Sequence, residues 1–338
     1  MELLFIECQD NNGDSCKRFI KMENPVLQSI EPVIKNSEHV RINEDKIREF
    51  AESFSQKGHW MNNSPFDINV LTDEEKLAFS FIFNSISFSY WGNPKWTIDY
   101  KGEKVDGAYG LIASIGKVLE KEKKILDFEY LSDISAIDLE LILKGNIMIP
   151  LIEHRMNILH EIGSVLRKKF DGSPVNLLEK SGRDALKLVS LLINEFPSFN
   201  DCTFYNGHHV FFNKRAQLFA SDVYQLFNGE GYGNLTNSDK LTACADYKLP
   251  KILRELSILE YSRELEFIID NKRQIPRDCM QETEIRANTV KAIELIKEGL
   301  KERIPGIKSI HVNDCVWLLS QNKSPDDKPY HLVRTTAY

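Results

Sequence analysis

The sequence predicts a mainly α-helical, single compact domain carrying small β-hairpins. Three observations lead there. Apolar residues recur at helical spacing through most of the 338 residues. Strand signals are confined to two short hairpin patterns. No internal repeat and no long linker interrupts the chain, and its only charge run, "EKEKK" (120–124), reads as a solvated helix end.

The elements follow in order. "NEDKIREFAESFSQ" (43–56) and "DEEKLAFSFIFNSIS" (73–87) are amphipathic, with acids in the first turn where the helix dipole favours them. "WTIDYKGEKVDGAYG" (96–110) predicts a hairpin around Lys101-Gly102 that runs into a helix over 109–121. "SDISAIDLELILK" (132–144) carries a capping box, Ser135-x-x-Asp138 in its weaker acidic form, at the start of a helix. "LIEHRMNILHEIGSVLRKKF" (151–170) carries an apolar stripe, and "RDALKLVSLLINEF" (183–196) stops at Pro197. "TFYNGHHVFF" (203–212) sets Asn206-Gly207 between aromatic and β-branched runs, as a two-residue type I′ hairpin requires. Helices are predicted over 214–227, 249–256, 260–270, 282–303 and 310–320, and "PYHLVRTTAY" is extended or irregular.

Composition excludes several classes. Hydrophobic residues make up 42% and charged residues 28%, as in an ordinary globular protein. A net charge of −7 gives no general attraction to nucleic-acid backbones. A small anion needs only a local cation cluster and stays open as a ligand. Six cysteines are scattered without a CxxC or a zinc-like Cys/His spacing, so reduced thiols, no metal and no cofactor are expected. The first residues lack the pattern of a secretory signal, and "LELILKGNIMIPLI" is too broken to span a bilayer. A cytoplasmic protein without membrane contact is expected.

Four clusters carry candidate chemistry. Lys214 and Arg215 stand at a predicted helix start, where two cations oppose the dipole unless an anion sits there. They also read as side chains snorkelling from a helix surface. Phe88, Tyr90, Trp91 and Trp96 gather near Gly and Pro, placed either to stack on a heterocycle or to fill the core. Tyr330, His331, Arg334 and Tyr338 form an aromatic and basic segment that closes a site or lies loose. Asp246 sits before Tyr247 in "TACADYKLP", a carboxylate in apolar company that is either a helix cap or a functional acid. Carboxylate, cations and aromatics together suit a nucleotide pocket and cleavage of an N-glycosidic bond.

The chain resembles the queuosine salvage family, the queuosine 5′-phosphate N-glycosylase/hydrolases. The stretches that carry the resemblance are "SFSYW" (87–91), "WTIDYKGEKVDGAYGLIASI" (96–115), "IPLIEHRMNIL" (149–159), "EFPSFNDCTFYNGHHVFFNKRAQL" (195–218), "LTACADYKLPKIL" (241–253), "ETEIRANTVKAIELI" (282–296), "VNDCVWLL" (312–319) and "KPYHLVRTTAY" (328–338). The chain departs from the family pattern at Cys244, Lys248 and Ser257. The resemblance implies a fold similar to helix-hairpin-helix DNA glycosylases over residues 21–338, with 1–20 as an extension. It implies release of queuine, a 7-deazaguanine, from a mononucleotide, by a monomer that does not bind nucleic acid directly. Asp246 is then expected beneath the ribose C1′, stabilising positive charge there. Asp201 is expected to orient the base and assist its departure, with Glu153 and Glu284 as further candidates. Phe88 and Trp91 would stack on the base beside Tyr247, and Lys214, Arg215, His331 and Arg334 would hold the 5′-phosphate. A nucleic-acid glycosylase or RNA-binding module, and a non-catalytic carrier of a modified nucleoside, are the alternatives.

Overall fold

The computed structural model describes residues 3–9, 15–21 and 24–338 except 323, 325 and 326. It is mainly helical, with strands only in two-stranded antiparallel pairs among the described residues. The helix Glu44–Ser53 is capped by Asn43, whose side chain accepts from Lys46 N. Thr72 and Glu75 form a reciprocal capping box on the helix Asp73–Ser85. Both expected hairpins are present, Thr97–Tyr100 with Glu103–Asp106 and Cys202–Tyr205 with His208–Phe211. Asn206 and Gly207 both take positive φ, as the type I′ turn demands.

The helix expected within 132–144 runs from Ala136 to Ile142, behind its Ser135 cap. Short helices Phe128–Ser132 and Ala136–Ile142 flank Ser135, whose hydroxyl accepts from Asp138 N at 3.1 Å and starts the second. Three features lie beyond the sequence reading: the helix Pro25–Asn36, the pairing of Val40–Ile42 with Leu259–Tyr261, and the antiparallel pair Leu3–Gln9 with Ser15–Lys21. Among the described residues no helix is long and apolar enough to cross a membrane.

Two apolar cores form. One gathers the helices Asp73–Ser85, Gly107–Leu119, Ile152–Lys169, Ala185–Glu195 and Lys214–Leu226. The other gathers Pro25–Asn36, Glu44–Ser53, Lys248–Glu255, Met280–Leu300 and Ser309–Leu319. Trp317 packs against both. Gly110 lets the helix Gly107–Leu119 lie against Trp96, since a Cβ there would meet the indole at 2.9 Å. This brings the N-terminal end of that helix to the cavity described next.

Candidate active site

A cavity opens where the two cores meet. It holds about 770 Å³ of empty space, mouth included, within the size range of small-molecule sites. Trp60, Phe83, Tyr90, Tyr247, Trp317, Tyr330 and Tyr338 supply aromatic walls. Its charged lining is three lysines, Lys95, Lys214 and Lys248, against two aspartates, Asp106 and Asp246.

The segment bearing Asp246 is fixed from several sides. Gln217 accepts from Thr242 N at 3.0 Å, and the Asn313 side chain accepts from Cys244 N at 2.9 Å. Arg286 Nε donates to Ala245 O at 3.2 Å. Asp246 Oδ1 then accepts from Lys248 N at 2.7 Å and Leu249 N at 3.0 Å, capping the helix Lys248–Glu255. No hydrogen bond from the described residues reaches Oδ2. One oxygen therefore serves the fold while the carboxylate still lines the cavity.

Lys214 faces the same cavity at 6% exposure. Asn213, in the left-handed conformation, turns the chain into the helix Lys214–Leu226 without a side-chain cap. Asp201 does the capping, because its Oδ2 accepts from Lys214 N at 3.0 Å. Lys214 Nζ has no hydrogen-bond or ion-pair partner among the described residues. Burial pushes its pKa down, and the Asp246 charge is foremost among the groups opposing that shift.

Beneath the aromatic wall lies a buried polar cluster. Trp60 Nε1 and Asn84 Nδ2 donate to Asp222 at 3.0 and 2.8 Å, and His59 Nε2 lies 3.0 Å from Asp222 Oδ1. Gln225 and Trp60 N donate to Asp314. Burial raises the Asp314 carboxyl to about 6 although His59 opposes the shift. This cluster fixes the Trp60 ring rather than entering the cavity.

A model of the family described as queuosine salvage protein matches residues 68–338. The chain belongs to the queuosine salvage protein family. A relative from Sphaerobacter thermophilus named queuosine 5′-phosphate N-glycosylase/hydrolase is 34% identical over 314 residues, covering 93% of this chain and 97% of the relative. A mouse protein of the same name is 30% identical over 325 residues, covering 90% and 96%.

Within this family member, the expected site residues divide. Asp246, Tyr247 and Lys214 line the cavity. The others do not. Asp201 is buried in a bidentate pair with Arg286, at 2.9 and 2.6 Å. Burial pushes its carboxyl up, but Arg286 and the Lys214 amide outweigh that and hold it low. Arg215 donates to the carbonyls of Ser85 and Ser198, so its guanidinium is spent on the fold. Phe88 lies in the core under the Arg155 guanidinium, 4.2 Å from the ring centre. Trp91 donates to Val333 O at 3.1 Å and is covered by Arg334 at 3.6 Å, both bordering a separate groove. Glu153 is exposed on its helix. Glu284 accepts from Glu38 N, His39 N and the Tyr205 hydroxyl in the interior. His331 sits 3.1 Å from the Tyr338 hydroxyl, and burial with the Arg286 charge pushes its imidazole down to about 3.

Sequence reasoning passed over Trp60, Lys95, Asp106 and Trp317 as site residues. For Asp106 a signal existed: Asp-Gly between a hairpin and a helix is a helix-start pattern.

Proposed function

We propose that this protein hydrolyses the N-glycosidic bond of queuosine 5′-phosphate and releases queuine. Family membership supports the reaction, and the names of the relatives supply the substrate. The observation that carries the reading is Asp246: a cavity carboxylate with one oxygen committed to a helix cap and the other free of protein hydrogen bonds among the described residues.

Departure of the base leaves positive charge on C1′ and O4′, and the Asp246 carboxylate stabilises it in a site walled by aromatics. The C1′–N bond breaks with its electron pair going to the base. Water supplies the oxygen that C1′ gains and the proton that ends on the base. Lys214 stands beside Asp246 at the reacting end, and Tyr247, Tyr330, Tyr90 and Trp317 offer faces for the base. Asp201 acts as a positioning residue, setting the start of the helix that presents Lys214. A substrate of mononucleotide size, a monomeric enzyme working in the cytoplasm without direct nucleic-acid contact, and a glycosylase-like unit over 21–338 after an extension at 1–20 complete this reading. The likeness to helix-hairpin-helix glycosylases remains an analogy of fold.

Incubation with queuosine 5′-phosphate, followed by chromatography, tests the function. Free queuine and ribose 5-phosphate are expected. Intact substrate at high enzyme concentration, with binding still measurable, would make the protein a carrier instead.

A further inference from the structure

One guanidinium reaches both elements that carry the reacting groups. Arg286 lies on the helix Met280–Leu300 and is 2% exposed. Its Nη1 and Nη2 donate to Asp201 at 2.9 and 2.6 Å, and its Nε donates to Ala245 O at 3.2 Å. Ala245 O belongs to the peptide group that joins Ala245 to Asp246. Asp201 in turn accepts from Lys214 N at 3.0 Å through its side chain. Its backbone carbonyl accepts from Phe212 N and Asn213 N at 2.9 and 3.1 Å, which fixes the approach to the helix Lys214–Leu226. A continuous path of hydrogen bonds therefore runs from Lys214 N through Asp201 and Arg286 to the peptide of Asp246.

Packing holds the guanidinium in its plane. Arg286 Cζ lies 4.0 Å from the centre of the Phe212 ring and 4.5 Å from that of Tyr338. Tyr338 lines the cavity, and its hydroxyl donates to Glu282 at 2.7 Å, one turn before Arg286 on the same helix. The side chain thus presents a rigid fork to Asp201 and a third donor to Ala245 O, an arrangement that a lysine ammonium cannot reproduce. Gln217 also joins the two elements, but at Thr242 N, farther along the chain from Asp246.

Stability alone gives a weak account of this pair, because apolar residues of similar volume often replace a buried ion pair without loss. Geometry gives a stronger one. A displacement of about 1 Å in a reacting group can cost roughly 10²-fold in rate, and Asp246 and Lys214 come from segments far apart in the chain. We propose that Arg286 is a positioning residue for the cleavage reaction, holding the Asp246 carboxylate and the Lys214 amine in register through Ala245 O and Asp201. The inference rests on the functional reading above. It has a second consequence at Lys214. Burial lowers the pKa of that amine, Asp246, Cys244 and Asp222 oppose the shift, and Arg215 adds to it. Asp246 is foremost among the opposing groups, so a register that lets Asp246 drift away lowers the Lys214 pKa further.

The test is Arg286→Lys in the full chain, which keeps a positive charge beside Asp201 and loses the fork and the Ala245 contact. Release of queuine from queuosine 5′-phosphate is measured for this variant alone and combined with Asp246→Asn. kcat is expected to fall roughly tenfold, short of the loss that a full ångström brings, with KM little changed. In the Asp246→Asn background the same substitution should cost little further, because the group it positions is already gone. Equal fold-losses in both backgrounds, or a folded Arg286→Lys protein with wild-type kcat, overturn the proposal. If Arg286→Lys does not fold, the charge-neutral pair Asp201→Asn with Arg286→Gln enters the same cycle. The Lys214 pKa, followed by side-chain NMR and assigned with Lys214→Met, gives a reading independent of turnover. It should fall in the Arg286 variant, and an unchanged value overturns the proposal. A wild type that releases no queuine sinks the functional reading, and the Lys214 pKa then decides alone whether Arg286 sets the register.

Discussion

Asp246→Asn separates the two duties of one carboxylate. Asn places an oxygen where Oδ1 accepts from Lys248 N and Leu249 N, so the helix cap is kept. What disappears is the negative charge at the cavity. Loss of one preorganised electrostatic stabiliser costs about 10²–10³ in rate, or about 2.7–4 kcal/mol of transition-state stabilisation. Stability should barely change, whereas Asp246→Ala also forfeits the cap, worth about 0.5–2 kcal/mol. Part of the rate loss travels through Lys214, because Asp246 is the main charge opposing the burial that drives its proton off. A double-mutant cycle with Lys214→Met isolates that share. The assay is single-turnover release of queuine from queuosine 5′-phosphate, with melting temperature and substrate affinity measured on the same samples. Affinity should persist while turnover collapses, since the lost interaction belongs to the transition state. A folded Asp246→Asn protein that releases queuine near the wild-type rate refutes the reasoning and leaves Asp246 as a cap.

Other outcomes follow from the same geometry. Asp201→Asn strands the buried Arg286 guanidinium and should cost about 3–5 kcal/mol in urea denaturation, while the folded fraction retains far more turnover than Asp246→Asn does. Tyr330→Ala should weaken nucleotide binding by roughly ten- to a hundredfold, the worth of one stacked base, whereas Trp91→Ala should lower the melting temperature and leave affinity near wild type; the reverse pattern would put the base in the Trp91 groove. Lys248 with a pKa near 8 is protonated at pH 7 and largely neutral at pH 9.5, so ribose 5-phosphate affinity should fall across that interval, and Lys248→Met should lessen the fall.

Where sequence reading succeeded, the signals were local. Asn206-Gly207 and the acids opening Asp73–Ser85 state their own conformations, and the structure has them. The helix Pro25–Asn36 was hidden because Pro32 lies inside it, a residue that normally ends a helix. The pairing of Val40–Ile42 with Leu259–Tyr261 joins segments far apart in sequence, which no local pattern records. The site shows the same division. Asp246 was legible because an acid among apolar residues needs a reason. The place of Arg215 was not, because adjacent residues on a helix point in different directions: Lys214 faces the cavity while Arg215 reaches the carbonyls of Ser85 and Ser198. Asp106 and Trp317 meet Asp246 only through tertiary packing.

The way charge is satisfied separates the fold from its site. Arg286 is closed by Asp201, Arg254 by Glu266 and Asp270, and Arg155 and Arg215 by backbone carbonyls. Each of these arginines is buried, and each has acceptors from the protein. Lys214 and Lys248 break that pattern in one place, the cavity. An amine kept from water without a partner costs stability and loses proton affinity, and both lysines show the lowered pKa that this cost produces. Replacing either lysine by Met should relieve that cost and raise the melting temperature of the ligand-free protein, and a melting temperature that falls instead would show that the amine is satisfied within the fold. An anion that entered the cavity would supply the missing partner and raise the proton affinity of both amines, so the pKa of each lysine measured with and without an anionic ligand tests whether they face it.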